Sequence, residues 1–573
     1  MSWMLALFSH RRAPDRQAAL SKIHPQPLHT FLSSEVYLAA GGIPETCRFQ
    51  TSSAGAWLVL GTGIRLREGS CSILGNEEWD RFLAPPLPDI GSLEGHFAAL
   101  RIRDGNGECF SDQMGLRTLY ACRVPDGVAL STRLDWLARL CPGAEIDFEQ
   151  FGAHWKLYNQ FSYRPLLKGV ERLGPGGRLS CSAETLSVSS RVWRPGDSTS
   201  SDADLVDVLQ SLLHPDGTGN RQLSLGLSGG LDSRLLLALL ASGNRGGVPI
   251  HTFGDPGEPD VRIAGTIAAD LGLRVTRLHE DPPPAERLKD TSLAYVAGNT
   301  LEAPVSTILR LGHYPKLHAE GKLVVDGAFG ESLRRQYFNR LIWRGQRGLA
   351  AGSPRAVLPF LAQHRASIFN RDAELVMAKG MERELASLFA ALPPVREIGR
   401  EDFSDLLSIC YRLPNAAGFE QARMDEQIVS YMPFAQPAIM RRAMEMPLSE
   451  KINGKFHRSM IRSKCPRLSR YPLVKGTIVY PYALPTVPAW AWRGVKSALG
   501  LKYRDPTSVI YLSVMRDHVL DAVRSDSART YAPYDYPRIL DMAERFYAGD
   551  RSLASELDWW FSFDLWRTSM DQS

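Results

Sequence analysis

The sequence predicts an α/β protein made of two unlike parts, and three observations carry that prediction. Residues 1–195 hold short apolar segments such as "AWLVLG", "GHFAALRI" and "TLYACRV", separated by turn pairs such as Asp104-Gly105 and Asp126-Gly127. From Asp204 the pattern changes to alternating strands and helices, which requires βαβ crossovers and a parallel sheet covered by helices. The chain has 573 residues, too many for one hydrophobic core. The Pro/Gly/Ser/Asp-rich stretch "WRPGDSTSSDAD" (193–204) reads as the linker, giving domains 1–195 and 204–573.

Each element follows from local pattern. The start, "MSWMLALFSHRRAP", has no basic residue ahead of its apolar run, so it reads as a buried first strand and not a signal peptide. In the second part, "RQLSLGL", "VPIHTFG" and "LRVTRLH" are strands, while "LDSRLLLALLASG" and "DVRIAGTIAADLG" are helices. Beyond about residue 335 the pattern is mostly helical, including 356–392 and 535–570. Trp559, Trp560 and Trp566 in the last of these read as core packing. No internal repeat or long low-complexity segment occurs.

Composition narrows the function class. Net charge is +5 from 67 basic and 62 acidic side chains, which gives no case for nucleic acid or membrane binding. No apolar run approaches the length of a membrane span. Eight scattered Cys (47, 71, 109, 122, 141, 181, 410, 465), with no CxxC pair and no His cluster, argue against a disulfide framework or a zinc site. Free thiols in a reducing cytoplasm are the expectation.

The stretch "LSLGLSGGLDSRLLLALL" (223–240) carries the chemistry. Leu223, Leu225 and Leu227 alternate as in a strand, and Leu231–Leu240 is an apolar helix, so Ser228-Gly229-Gly230 must turn sharply between them. That turn offers backbone N–H groups at a helix N-terminus, an anion site suited to phosphate. A nucleoside triphosphatase loop ending in Gly-Lys-Ser/Thr would place a Lys on the phosphates. Here Leu231-Asp232-Ser233 stands in its place. A carboxylate beside phosphates requires a divalent cation between them, so Asp232 implies Mg²⁺.

"LSGGLDS" resembles the pyrophosphate loop of the ATP-pyrophosphatase superfamily, whose members cleave ATP between the α and β phosphates. "LEGHFAALRIRDGNGECFSDQMGLRTLYACRVPDGVALSTRLDWLARL" (93–140), "KGVERLGPGGRL" (168–179) and "VWRP" (192–195) resemble the glutaminase-type, Ntn-hydrolase-like domain of the asparagine synthetase family. That resemblance implies an αββα first domain. Active glutaminases of the family place a Cys directly after the initiator Met; here Ser2 and Trp3 follow it, and the nearest Cys is Cys47. The nucleophile is missing, so the domain is expected to hydrolyse no glutamine.

The resemblance continues in the second part. "HTFGDPGEPDVRIAGTIAADLGL" (251–273) is similar to the family's second strand and helix, which implies that the backbone at Phe253 and Gly254 faces adenine and that Asp260 opens the helix. "VVDGAFGES" (324–332) stands at the family's SGEGxDE-like loop, placing Gly327 on its glycine and Glu331 on its metal-binding Asp. Asp232 and Glu331 would then hold Mg²⁺ against pyrophosphate. "PLSEKINGKFHRSMIRSKCPRLSRYPLVKG" (447–476) resembles the closing segment, with Lys475 as the catalytic lysine. The ATP site implied is thus Leu227, Ser228, Gly229, Gly230, Asp232, Ser233, Phe253, Gly254 and Gly327, with Glu331 and Lys475 completing the catalytic set.

Departures bear on the substrate. Asparagine synthetases carry Glu at the position of Ala328 and β-lactam synthetases carry Tyr, while Asp326 and Ser332 also depart from the family loop. With "FGDPGEPDVRIA", "DGAFGE" and "DWWFSFDLWR" (558–567), the chain most resembles lasso peptide cyclases, asparagine-synthetase-like macrolactam synthetases. This implies a precursor core peptide as substrate, an internal Asp or Glu adenylated with ATP and Mg²⁺, and a transient complex with a transglutaminase-like leader peptidase. The alternatives are an amide ligase acting on a small amino acid and a non-catalytic nucleotide-binding scaffold. Glu420, Asp425 and Glu426 read either as solvated helix charges or as candidates for the amine's general base. "RRQYFNRLIWRGQR" (334–347), with five Arg and no acid, reads either as an anion-binding segment or as an exposed helix. His457 is a weaker candidate near the site.

Overall fold

In the computed structural model, the described residues are 2–571 apart from 12, 53–54, 87–88, 158–160, 198–203, 243–246, 312, 476–477 and 500–504. Residues 198–203 of the linker predicted at 193–204 lie outside them, as does Gly476.

The first part is a pair of antiparallel sheets. One has six strands, with Trp3–Ser9 between Gly127–Ser131 and Val36–Gly41; the other has seven, built around the long strand Gly55–Arg67 and its partner Glu94–Arg103. Alternation along each strand sends one set of side chains inward. Met4, Ala6 and Phe8 of the first sheet meet Leu58, Leu60 and Leu100 of the second in one buried core. The opposite faces are covered by helices: Trp79 and Leu83 pack on Trp57, Val59 and Phe97, and Trp136 and Leu137 pack on Trp3, Leu5 and Leu7. The layers therefore run helix, sheet, sheet, helix, and the apolar start of the chain is a fully buried strand.

The second part contains a five-stranded parallel sheet. Across it lie Val275–Leu278, Ile250–Phe253, Gln222–Gly226, Lys322–Val325 and Ser430–Tyr431. The earliest strand, Gln222–Gly226, is central, and successive strands are added first to one side and then to the other. The order reverses between Gln222–Gly226 and Lys322–Val325, and such a switch point opens a crevice beyond the strands' carboxyl ends. The helix Asp232–Ser242 leaves that crevice buried along most of its length. Gly272, with φ of 67°, ends the helix Pro259–Leu271 in the left-handed conformation.

The helical stretches expected at 356–392 and 535–570 are each interrupted. Pro354–Leu361 and Arg371–Ala391 are separate helices, with Ala362–Asn370 between them outside any helix. Asn370 caps the second through its side chain. Tyr536–Tyr547 and Ala554–Asp571 are likewise separate, divided by Gly549 at φ of 122°. Trp560 and Trp566 are fully buried in the last helix. All eight cysteines are free thiols, and no helix among the described residues is long and apolar enough to cross a membrane.

The two parts share a polar seam. Asp425, read from sequence as a solvated charge or a base, is fully buried there. Its carboxylate lies 2.8 Å from His96 Nε2 and 3.7 Å from Arg117 Nε, while its backbone carbonyl accepts from Ser2 Oγ at 2.8 Å. Ser2 is thus buried against the second part. Cys47 cannot serve as the nucleophile, because burial pushes its thiol up to about 12. Removing Asp425 strands a buried Arg117 without its counter-charge, so Asp425→Ala should cost about 3–5 kcal/mol. A thermal melt checks this; an unchanged midpoint would refute the seam's role.

Candidate functional site

The glycine turn lies at the carboxyl end of the central strand. Leu227 still belongs to the sheet, donating its N–H to the His251 carbonyl at 2.8 Å, and its side chain is buried. Ser228 and Ser233 then close the turn: Ser228 N–H donates to Ser233 Oγ at 3.1 Å, and Gly230 N–H donates to Ser228 Oγ at 3.1 Å. Gly229 N–H donates to Asp260 Oδ1 at 2.7 Å, a carboxylate contributed by the first turn of helix Pro259–Leu271. An internal carboxylate therefore already uses one of the anion-binding amides.

The neighbouring strand delivers the second loop. Gly327 packs against the turn so closely that a Cβ there would lie 2.9 Å from Ser233 N, and a Cβ on Gly330 would lie 2.5 Å from the Asp232 carboxyl carbon. Phe329, Arg335 and Phe338 all adopt left-handed φ without being glycine. Such conformations cost of order 1–3 kcal/mol each and gather at functional sites. They twist the chain around Glu331 so that consecutive arginines part company. Arg334 forms a fork on Asp232, with Nε to Oδ1 at 2.8 Å and Nη2 to Oδ2 at 2.6 Å. Arg335 instead reaches Asp405, which Lys451 also binds at 2.7 Å. The basic run 334–347 is therefore divided: its first two members are structural ion pairs, and Trp343 further along is exposed.

Asp232 is the electrostatic centre. Burial opposes its charge, but Arg334 and His457, whose Nε2 lies 3.1 Å from Oδ1, hold its carboxyl far below the usual range. Burial pushes the His457 imidazole down, against the pull of the Asp232 charge beside it. Glu331 lies 2.7 Å from Arg412 Nη1, and its charge also reaches Arg334. Asp326, which follows the strand, is half-buried, and its carboxyl is pushed up by desolvation and by the nearby charges of Glu420 and Glu331.

The closing segment completes the cluster. Val474 N–H donates to the Gly229 carbonyl at 3.0 Å. Arg234, two residues past Asp232, donates to the carbonyls of Leu468, Tyr471, Pro472 and Gly229. This places Lys475 so that its Nζ is 3.0 Å from Gln336 Oε1, an oxygen that Arg334 also engages. Phe253 and Gly254 end the adjacent strand; Gly254 has φ of 116°, and a Cβ there would lie 2.8 Å from the Glu258 carboxylate.

The structure thus brings Ser228, Gly229, Gly230, Asp232, Ser233, Gly327, Glu331 and Lys475 into one cluster, with Phe253 and Gly254 at the end of the next strand. Arg234 and Arg412 are the members that sequence reading missed; Arg334 and Gln336 lie in the run 334–347 read as an anion-binding segment or an exposed helix. Arg234 did leave a signal, as a lone cation within an apolar helical run.

Mg²⁺ fits the donors. Asp232 and Glu331 offer hard oxygens, and Gly330 leaves room beside the Asp232 carboxylate. Two carboxylates fall short of octahedral coordination, so phosphate oxygens and water must supply the rest. The ion would also have to take the places that Arg334 and Arg412 hold. Among the described residues no group of three or more His, Cys, Asp or Glu is arranged for a metal.

Asp232→Asn removes the charge but preserves the shape. ATP with Mg²⁺ should raise the melting temperature of the native protein, by about 2.7 kcal/mol of stabilisation at a hundredfold excess over Kd, and leave that of the variant unmoved. An equal shift in both would remove Asp232 from the nucleotide site.

The model of the family described as asparagine synthase matches residues 218–568. No curated protein matches the chain. Matching solved structures include the allosteric regulatory enzyme of purine biosynthesis, at 9% identity over 39% of this chain and 60% of that one, with a TM-score of 0.20. Another is glutamine phosphoribosylpyrophosphate amidotransferase from B. subtilis complexed with ADP and GMP, at 9% identity, covering 57% and 81%, with a TM-score of 0.21. The chain spans less than two thirds of the first of these, and superpositions this partial bear on neither site nor activity. The family match is different in kind: it runs from just before the glycine turn into the last helix, more than half of the chain, and the protein belongs to the asparagine synthase family, whose members are ATP-dependent amide-forming ligases.

Proposed function

We propose that this protein is an AMP-forming macrolactam synthetase of the lasso peptide type. A side-chain carboxylate of an internal Asp or Glu in a core peptide attacks the α-phosphorus of ATP, and the bond to pyrophosphate breaks. The peptide's N-terminal amine then attacks the acyl carbon, loses a proton, and expels AMP. The sum is peptide plus ATP giving cyclic peptide, AMP and pyrophosphate, with a leader peptidase supplying the free amine.

The observation that carries the peptide reading is a cavity of about 1080 Å³ beside the site. Trp3 and Trp136 of the first part wall it, together with Leu288, Tyr295, Phe419 and Glu420 of the second. Its volume stands at the top of the roughly 300–1,000 Å³ range of small-molecule pockets, far more than a free amino acid fills. Its wall comes near the edge of the site at two points: the charge of Glu420 reaches Asp326, just ahead of the second loop, and His313 has its ring 6.1 Å from that of Phe253. The antiparallel part, with Ser2 buried and no nucleophile, then serves as a wall and not as an ammonia source.

The cluster suits the chemistry. The amides of the turn and Ser228 and Ser233 receive pyrophosphate, Asp232 and Glu331 would hold a Mg²⁺ whose charge would neutralise it, and Lys475 stabilises charge at the α-phosphate. Arg334, displaced from Asp232, is released toward the same phosphates. Incubation with core peptide, leader peptidase, ATP and Mg²⁺ should give a product lighter by one water, with AMP and pyrophosphate. Formation of ADP would contradict the proposal, and turnover of a free amino acid alone would favour the small-substrate ligase. Lys475→Ala should lower kcat by about 10²–10³-fold while the protein remains folded.

A further inference from the structure

One group in the large cavity lacks the partner its position demands. Glu302 lines the wall, and its carboxylate accepts from the N–H of Thr300 at 3.1 Å and from the Thr300 hydroxyl. Among the described residues no cation forms an ion pair with it. Arg365, the cation that feels its charge, is held instead by the His154 carbonyl at 2.9 Å and stacks over the rings of Trp155 and Trp559. Burial and the neighbouring Glu420 push the Glu302 carboxyl up to about 7. Glu302 and Glu420 thus face one space; Glu420 is paired with Arg423, and the unpaired Glu302 favours a cationic occupant.

A second unfilled group lies beside them. Asn299 is 8% exposed and lines the same cavity. Its Oδ1 accepts the Leu301 N–H at 2.9 Å, but its Nδ2 has no hydrogen-bond partner. The rings of Tyr295 and Phe419 stand close by in the wall, and Arg423, which pairs with Glu420, covers the Tyr295 face at 5.0 Å. The local pattern is therefore one unpaired carboxylate, a second shared with Arg423, one donor for a carbonyl and an aromatic wall. A primary ammonium, a carbonyl two bonds away and a side chain are what the N-terminal residue of a peptide presents.

We propose that Glu302, Glu420 and Asn299 form the binding site for the free N-terminus of the peptide, with the carboxylates taking the ammonium and Asn299 Nδ2 the first carbonyl. This rests on the macrolactam reading and names where that reaction's nucleophile is held. The site also explains a requirement of the chemistry: a peptide still carrying its leader has an amide nitrogen there, which offers no charge to the carboxylates.

Phenylalaninamide is a minimal probe, carrying the ammonium, the carbonyl and one ring. Calorimetric titration of the full chain should show phenylalaninamide binding roughly ten- to a hundredfold tighter than N-acetylphenylalaninamide, the range expected of charged hydrogen bonds. Glu302→Gln and Glu420→Gln should each erode that preference, while Glu280→Gln, on the exposed rim, should keep it. Equal affinity for the two probes, no binding of either, or an undiminished preference in both site variants would overturn the assignment. The two proposals fail separately. Amine preference without ATP cleavage to AMP would overturn the ligase reading and leave this site standing; AMP formation without amine preference would do the reverse.

Discussion

The site depends on one buried cation. Arg234 is fully buried one turn into the helix that leaves the glycine turn, and burial pulls its guanidinium down to about 10, still charged at neutral pH. A buried charge is tolerated when it is well hydrogen-bonded; the Nε–H of Arg234 has no partner, but its Nη1 and Nη2 groups donate to four backbone carbonyls. Three belong to residues 468–472 and one to Gly229. The helix of the first loop thereby fixes the segment that delivers Lys475, although some 240 residues separate them in the chain. Gly229 is crowded by Val474 because the two strands of chain are drawn together there.

Around that anchor the charges are arranged as exchangeable pairs. Asp232 with Arg334, Glu331 with Arg412, and Lys475 and Arg334 together on Gln336 form one connected set. Every charge that the proposed chemistry needs already has a protein partner, so nucleotide and metal enter by replacing contacts and not by filling bare charge. Binding of phosphate to the turn amides likewise competes with Asp260 at Gly229. Exchange of this kind keeps the desolvation cost of a buried ionic site low, because each carboxylate passes from a guanidinium to an ion.

The strands and helices around the turn were legible in the sequence because their signals are local. Leu223 to Leu227 alternate, the run after Leu231 is apolar, and Gly272 ends its helix as the composition suggests. The helical stretch read over 356–392 is broken at a place where tertiary contacts, including the bridge from Leu157 to Ala362, override periodicity. Asp425 looked like a helix-surface charge because its partners, His96 and Arg117, lie some 300 residues away. The pairings of Arg334 and Arg412 were hidden for the same reason: an ion pair between distant residues leaves no spacing to read. The cavity that carries the peptide reading is also a product of both parts together, and no segment of sequence contains it.

The most direct test of the central claim is a crystal structure with α,β-methylene ATP and Mg²⁺. The account predicts the β and γ phosphates on the amides of residues 228–230, Asp232 and Glu331 on the metal, Arg334 turned to the phosphates, and Lys475 at the α-phosphate. A nucleotide bound elsewhere, with the fork between Asp232 and Arg334 intact, would contradict it.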